Sequence, residues 1–285
     1  MSTMKAIKRR IGSVKNMQQI MKAMNLVAAS KLQKAKAKMD ATRPMHDNFK
    51  QIINGIKSCG QDVYNVYVEE REVKNIGYVV ITSDRGLCGP YNANVSKEAM
   101  AFINANAEKG VKIFAIGAKG HDYFKRRGKN IVYRHKGGSA NVTFDDAAEV
   151  GDLIVSMYLK GEIDEVYVVY THFISMLTNI TYIDRVLPLS DTVAKQDKRY
   201  KLMEYDPEID GFINDVVPMY IKMFLYASLI ESGVCEHVSR MTSMDAAARN
   251  AEEIHDDLKL EYNRMRQGAI TQEIIEIVSG ASALN

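Results

Sequence analysis

The sequence has no tryptophan, only three cysteines and five prolines, and not one aspartate or glutamate in its first 39 residues. Three scattered cysteines (Cys59, Cys88, Cys235) without Cys-x-x-Cys spacing build no disulfide framework and point to a reducing, cytosolic compartment. No uninterrupted apolar run approaches the ~18 residues of a membrane span; Tyr78 to Ile81 and Val166 to Tyr170 are typical. The opening MSTMKAIKRR has no apolar block behind its charges, so no secretory signal is expected and the chain is expected to begin at or near Met1. Prolines also avoid both ends: none precedes Pro44 and none falls in the last 67 residues. Both ends are therefore free to form long helices.

What is present is a globular composition. The 285 residues are 46% hydrophobic and 26% charged, enough for a packed core and about two domains. The net charge is +3, but residues 1–39 alone carry ten Lys/Arg, so the rest of the chain carries −7. So basic a segment needs an acidic counterpart: nucleic acid, anionic lipid or a carboxylate-rich protein surface. Composition does not choose among them.

In the first segment the apolar series Ile7, Ile11, Val14, Met17, Met21, Met24, Ala28, Leu32, Ala35, Met39 has a mean step of about 3.6 residues, the helical period. At the other end Met223, Ala227, Ile230, Val234, Val238, Met241, Met244, Ala248, Ala251, Ile254, Leu258, Tyr262, Met265, Ala269 averages about 3.5, the coiled-coil period. Narrow seams of this length are unstable unless buried, and the economical solution is that they pack on each other, antiparallel because one helix enters the middle of the chain and the other leaves it. Pro218 falls inside the second helix and predicts a kink there or a break just before it.

Between the helices, β-branched and aromatic runs alternate with helical ones. Strands are expected over 75–83, 111–117, 130–135, 165–173 and 179–186, and helices over 90–107, 119–127 and 143–160. That alternation argues for a mainly parallel, Rossmann-like sheet covered by helices, with the last two strands pairing antiparallel at an edge. The expected organisation is α/β plus long α: an N-terminal helix over 1–57, an α/β domain over 75–205 and a C-terminal helix over 208–285.

Such a sheet invites a nucleotide, yet SDRGLCGPYN after the first strand has neither G-x-G-x-x-G nor a G-K-[ST] ending, so Gly86 and Gly89 read as a tight turn. The fragment from Gly117 to Gly120 reads as a strand end and helix start. The six histidines fall in no metal spacing, and Asp145/Asp146 and Asp256/Asp257 sit where a helix start and a solvated face would put them. No catalytic, cofactor or metal residue is assigned. The last 19 residues, QGAITQEIIEIVSGASALN, are apolar and nearly uncharged, which fits insertion into a protein socket better than a frayed tail.

Three blocks carry a family resemblance spanning the chain: QIMKAMNLVAASK (19–31), TSDRGLCG (82–89) and YNRMRQGAITQEIIEIVSGASAL (262–284). In order and spacing they resemble the gamma subunit of F-type ATP synthases, in a form expected to be bacterial because it shows neither the cysteine insertion of chloroplast members nor a transit peptide. The resemblance implies an antiparallel, left-handed coiled coil of the terminal helices, turning as the central stalk within three alpha and three beta subunits. It implies a foot domain on the epsilon subunit and membrane c-ring, one copy per complex, at the cytoplasmic face of the cell membrane without insertion. It implies a non-catalytic subunit with no cofactor of its own, whose basic first helix faces acidic lever loops of beta. It further implies beta contacts at Lys22, Met24, Arg85, Cys88, Arg266, Gln267 and Thr271, and foot contacts at Tyr200, Lys201, Met203 and Tyr205. A basic coiled coil binding nucleic acid is the alternative. Pro90 and Tyr91 depart from the Gly-Leu that usually follows GLCG in the family.

Overall fold

The computed structural model describes residues 4–58, 65–135, 137, 142–189 and 209–283. Its elements in chain order are α1 (Met4–Ser58), β1 (Asn75–Ile81), α2 (Tyr91–Ala105), β2 (Gly110–Ile116), α3 (Ala118–Lys125), β3 (Ile131–His135), α4 (Phe144–Leu159), β4 (Glu165–Phe173), β5 (Asn179–Leu187) and α5 (Ile209–Ala283). The chain divides into two compact units, Met1–Ala28 with Arg240–Asn285, and Ala29–Ser239.

In the larger unit the strands form one sheet in the order β3-β2-β1-β4-β5. β1 pairs parallel with β2 and β4, β2 pairs parallel with β3, and β4 pairs antiparallel with β5, the expected edge hairpin. Period-2 alternation divides the core. Ile76, Tyr78 and Val80 of β1 face one side, against Val95, Ala99 and Ile103 of α2 and Phe124 of α3. Val79 and Ile81 face the other, against Val150, Ile154 and Tyr158 of α4 and the stretch of α5 from Ile213 to Leu229. α4 starts on a capping box: Asp146 N–H donates to Thr143 Oγ1 at 3.3 Å and Thr143 N–H donates to Asp146 Oδ2 at 2.8 Å. This is the helix-start role that the Asp145/Asp146 pair suggested.

Pro218 does not break its helix; α5 runs unbroken from Ile209 to Ala283. Losing a helical hydrogen bond to proline costs about 3 kcal/mol, but Ile213, Val217, Tyr220 and Ile221 on either side are buried, each stabilising by about 1.5–3 kcal/mol. Burial outweighs the missing donor. α5 also holds an 18-residue window of mean hydropathy 1.2, apolar enough by composition to span a bilayer, yet 56% of that window is buried inside the fold. It reads as a core helix.

The seam of α1 is a stricter heptad than the apolar residues alone reveal. Buried or half-buried positions fall at Ile7, Ile11, Val14, Gln18, Met21, Asn25, Ala28, Leu32, Ala35, Met39, Thr42, His46, Phe49, Ile53 and Ile56, in alternating steps of four and three. Met17, expected in the seam, is 53% exposed and Gln18 takes its place. α5 repeats the pattern: Ile254 is 47% exposed and His255 occupies the seam between Ala251 and Leu258. Within the smaller unit, Asn25 Nδ2 donates to the Met241 carbonyl at 2.9 Å. Within the larger, the His46 ring lies 5.8 Å from that of Phe224, while Lys38, two turns earlier, lies 5.1 Å over Tyr226, two residues later. The two helices therefore run in opposite directions there.

His46 gives the fold a pH dependence. Burial, then the neighbouring Lys50, lowers its pKa below the ordinary 6.5, opposed by Asp47. The folded chain thus binds this proton less readily than the unfolded chain. The stability it contributes is complete above about pH 6.5 and is lost as pH falls from there through the folded value. Between pH 7.5 and pH 5.5 the thermal unfolding midpoint of wild type should fall more than that of His46→Gln. Equal slopes in the two proteins would refute this assignment.

Candidate partner-contact sites

Open parallel sheets bind ligands at the carboxyl ends of strands where the strand order reverses. Here that point lies between β1 and β4, and α5 fills it. Ser232 Oγ accepts from Thr171 N–H at 3.3 Å, and Cys235 Sγ donates to the Thr171 carbonyl at 3.6 Å. Glu231 Oε1 accepts from Phe173 N–H at 3.1 Å and sits 2.7 Å from His172 Nδ1. Burial, helped by Glu231, pushes the Cys235 thiol far above its ordinary pKa, so it stays protonated and can donate. Among the described residues no group of three or more His, Cys, Asp or Glu converges as a metal site would require.

The turn after β1 is held by a network of side-chain hydrogen bonds. Ser83 Oγ donates to the Arg85 carbonyl at 2.6 Å, and Asn92 at the start of α2 binds back to it: Ser83 N–H donates to Asn92 Oδ1 at 2.9 Å, and Asn92 Nδ2 donates to Ser83 Oγ at 2.7 Å and Cys88 Sγ at 3.1 Å. From the other side Asp84 Oδ1 accepts from Ala118 N–H at 3.0 Å. Leu87 is held at φ 63°, the left-handed region that costs a side-chain-bearing residue about 1–2 kcal/mol. Arg85 beside it is exposed.

Cys88 is 1% exposed and packs with Tyr91, Cys235 and Phe173, so its thiol anchors the turn from within. Lys22 is exposed on α1 and Met24 is half-buried beside the seam residue Asn25. Arg266, Gln267 and Thr271 are exposed on α5, where Thr271 Oγ1 donates back to the Gln267 carbonyl at 2.9 Å. From Ile270 to Ser282 every residue of α5 is exposed, including Ile274, Ile275, Ile277 and Val278, so among the described residues nothing of its own unit covers the apolar tip. Tyr200, Lys201, Met203 and Tyr205 lie outside the described residues. Leu87 and Asn92 escaped the sequence reading: nothing in a leucine announces a positive φ, and an asparagine nine residues beyond Ser83 is visible as a partner only in three dimensions.

Residues 3–284 match the protein family described as ATP synthase. The ATP synthase gamma chain of Alkaliphilus metalliredigens is 41% identical over 286 residues, covering 99% of this chain and 98% of that protein. This chain belongs to the ATP synthase gamma chain family. The gamma chain of Heliobacterium modesticaldum is 38% identical, with all of both chains covered. In fold, the chain resembles one in the Euglena gracilis mitochondrial ATP synthase OSCP/F1/c-ring assembly at a TM-score of 0.71 and 16% identity, covering 99% of this chain and 94% of that one. A chain of the Tetrahymena thermophila mitochondrial central stalk and c-ring matches at 0.63 and 22%, covering 80% of this chain and 99% of that one. The chain is thus a subunit of an ATP synthase, and the nucleic-acid alternative has no support.

Proposed function

We infer that the chain is the central-stalk rotor of an F-type ATP synthase, coupling ion flow through the membrane ring to conformational cycling of the catalytic subunits. The observation that carries this is the full-length match to gamma chains at 41% identity, on a chain whose α5 ends in an exposed apolar stretch. The shaft segments are 1–57 and 208–285, with 75–205 as the foot. The chain is non-catalytic: nucleotide is bound and turned over by three alpha and three beta subunits around one rotor. An asymmetric rod in a three-fold ring gives each beta subunit a different contact, and only such differences in interaction free energy can shift the three sites to different affinities.

Lys22, Met24, Arg85, Cys88, Arg266, Gln267 and Thr271 are the beta contacts in this reading, Cys88 through the turn it anchors and Arg266 through a bidentate carboxylate pair. Tyr200, Lys201, Met203 and Tyr205 contact the epsilon subunit and c-ring at the foot. The complex sits peripherally at the cytoplasmic face of a bacterial membrane.

Mixing the purified chain with alpha and beta subunits of the same source tests this. One copy should enter a particle with three of each and raise its MgATP hydrolysis. No association at low salt would overturn the rotor assignment. In the assembled enzyme Met24→Lys should uncouple ion-driven synthesis by about an order of magnitude without a matching fall in thermal stability. It sets a cation beside the seam, which is costly to desolvate and is drawn to acidic loops. Arg266→Ala should have a smaller effect of the same kind. Wild-type synthesis in both variants would sink the contact assignments.

A further inference from the structure

We propose that Leu87 is a partner-contacting residue held outward by its strained turn, and that Asn92 is the positioning residue that holds it there. The partner is a loop of a catalytic beta subunit offering a carboxylate to Arg85 and an apolar shelf to Leu87. This rests on the rotor reading above and deepens it at one site.

Three observations converge. First, Leu87 is the one non-glycine residue with positive φ among the described residues, and its side chain gains no burial in exchange, being 61% exposed. A branched apolar residue kept in the left-handed region with its side chain in water is poorly explained by the fold's own stability, since glycine would serve the turn better. Second, the turn is fastened beneath by Asn92, whose amide grips Ser83 and the Cys88 thiol, and beside it by Asp84, so Leu87 projects from a rigid base. A rigid apolar anchor loses little entropy on docking. Third, Arg85 has no hydrogen-bond or ion-pair partner for its guanidinium among the described residues, and it is exposed two positions from Leu87. A cation next to an apolar anchor is complementary to a carboxylate next to an apolar surface.

The assay is MgATP hydrolysis by the chain reconstituted with alpha and beta subunits, alongside thermal unfolding of the chain alone. Leu87→Gly relieves the strain and removes the side chain. It should leave the unfolding temperature unchanged or raised, yet lower the stimulated hydrolysis about fivefold. Leu87→Met, which restores apolar reach, should recover most of it. Asn92→Asp keeps the acceptor for Ser83 N–H but loses the donor to Ser83 Oγ and Cys88 Sγ, so it should lower hydrolysis in the same way. Added to Leu87→Gly it should lower hydrolysis no further, because both act through one projection. Wild-type hydrolysis by Leu87→Gly would overturn the proposal while leaving the rotor assignment intact, as would a large fall in its unfolding temperature. If the wild-type chain itself neither assembles nor stimulates, the rotor assignment fails and this one with it.

Discussion

Replacing Gly117 by alanine should destabilise the chain by about 3–5 kcal/mol, from two sources that add. The residue caps α3 at φ 90° and ψ 142°, a conformation side-chain-bearing residues rarely adopt. A Cβ there would stand 2.2 Å from the Thr82 carbonyl oxygen and 2.8 Å from Thr82 Oγ1. Neither atom is free to move. Thr82 N–H donates to the Ile116 carbonyl at 2.8 Å, and Thr82 Oγ1 donates to the same carbonyl at 2.9 Å while accepting from Gly120 N–H at 2.9 Å. Gly161 is the control: it too has positive φ, 70°, but a Cβ would meet nothing within 4 Å. Gly161→Ala should therefore cost only about 1 kcal/mol. Denaturant titration of both variants separates the clash from the dihedral, and equal losses would show that the Thr82 contact gives way.

Asp164→Ala should cost about as much, about 3–5 kcal/mol, because one carboxylate serves several groups that cannot easily find water. Asp164 Oδ2 accepts from the N–H groups of Lys74 and Asn75, each at 2.9 Å, which fixes the start of β1. Its Oδ1 lies 3.4 Å from Arg71 Nε. That guanidinium is stacked 4.1 Å over the Tyr158 ring and donates from Nη2 to the carbonyls of Tyr158 at 3.0 Å and Ile163 at 2.8 Å. Removing the carboxylate leaves the N–H groups of Lys74 and Asn75 without their acceptor and the largely buried Arg71 cation without its counter-charge. Asp164→Asn, which keeps one acceptor oxygen and loses the charge, should fall between alanine and wild type. Both variants unfolding within about 1 kcal/mol of wild type would show that water replaces the carboxylate at little cost.

The strands and helices of the α/β domain were legible because each carries its own period. Asp145 and Asp146 likewise announced the start of α4. The seam was read less well, and for a physical reason. Counting apolar residues alone skipped Gln18, Asn25, Thr42 and His46 on α1 and His255 on α5 and drew in Met17 and Ile254, although the polar residues hold the heptad positions. Such residues can sit in a seam when a neighbour satisfies them, as the Met241 carbonyl does Asn25. A partner on another helix is invisible to any count along one.

At Cys88 the sequence was silent on orientation. A motif that resembles a contact segment does not say which of its side chains point outward, and here Arg85 and Leu87 do while Cys88 turns in against Cys235. Pro218 reads locally as a helix breaker, and only the burial of the residues around it on α5 keeps the helix continuous.

By itself the sequence determined the two long helices, the alternating middle, the charge asymmetry and the family, because periodicity, composition and three specific blocks are properties of the chain alone. Only the tertiary structure decided the strand order, the filling of the sheet's switch point by Glu231, Ser232 and Cys235, the continuity of α5 through Pro218 and the strained exposure of Leu87. Each of these depends on groups distant in sequence meeting in space, where burial and hydrogen bonding override local preference.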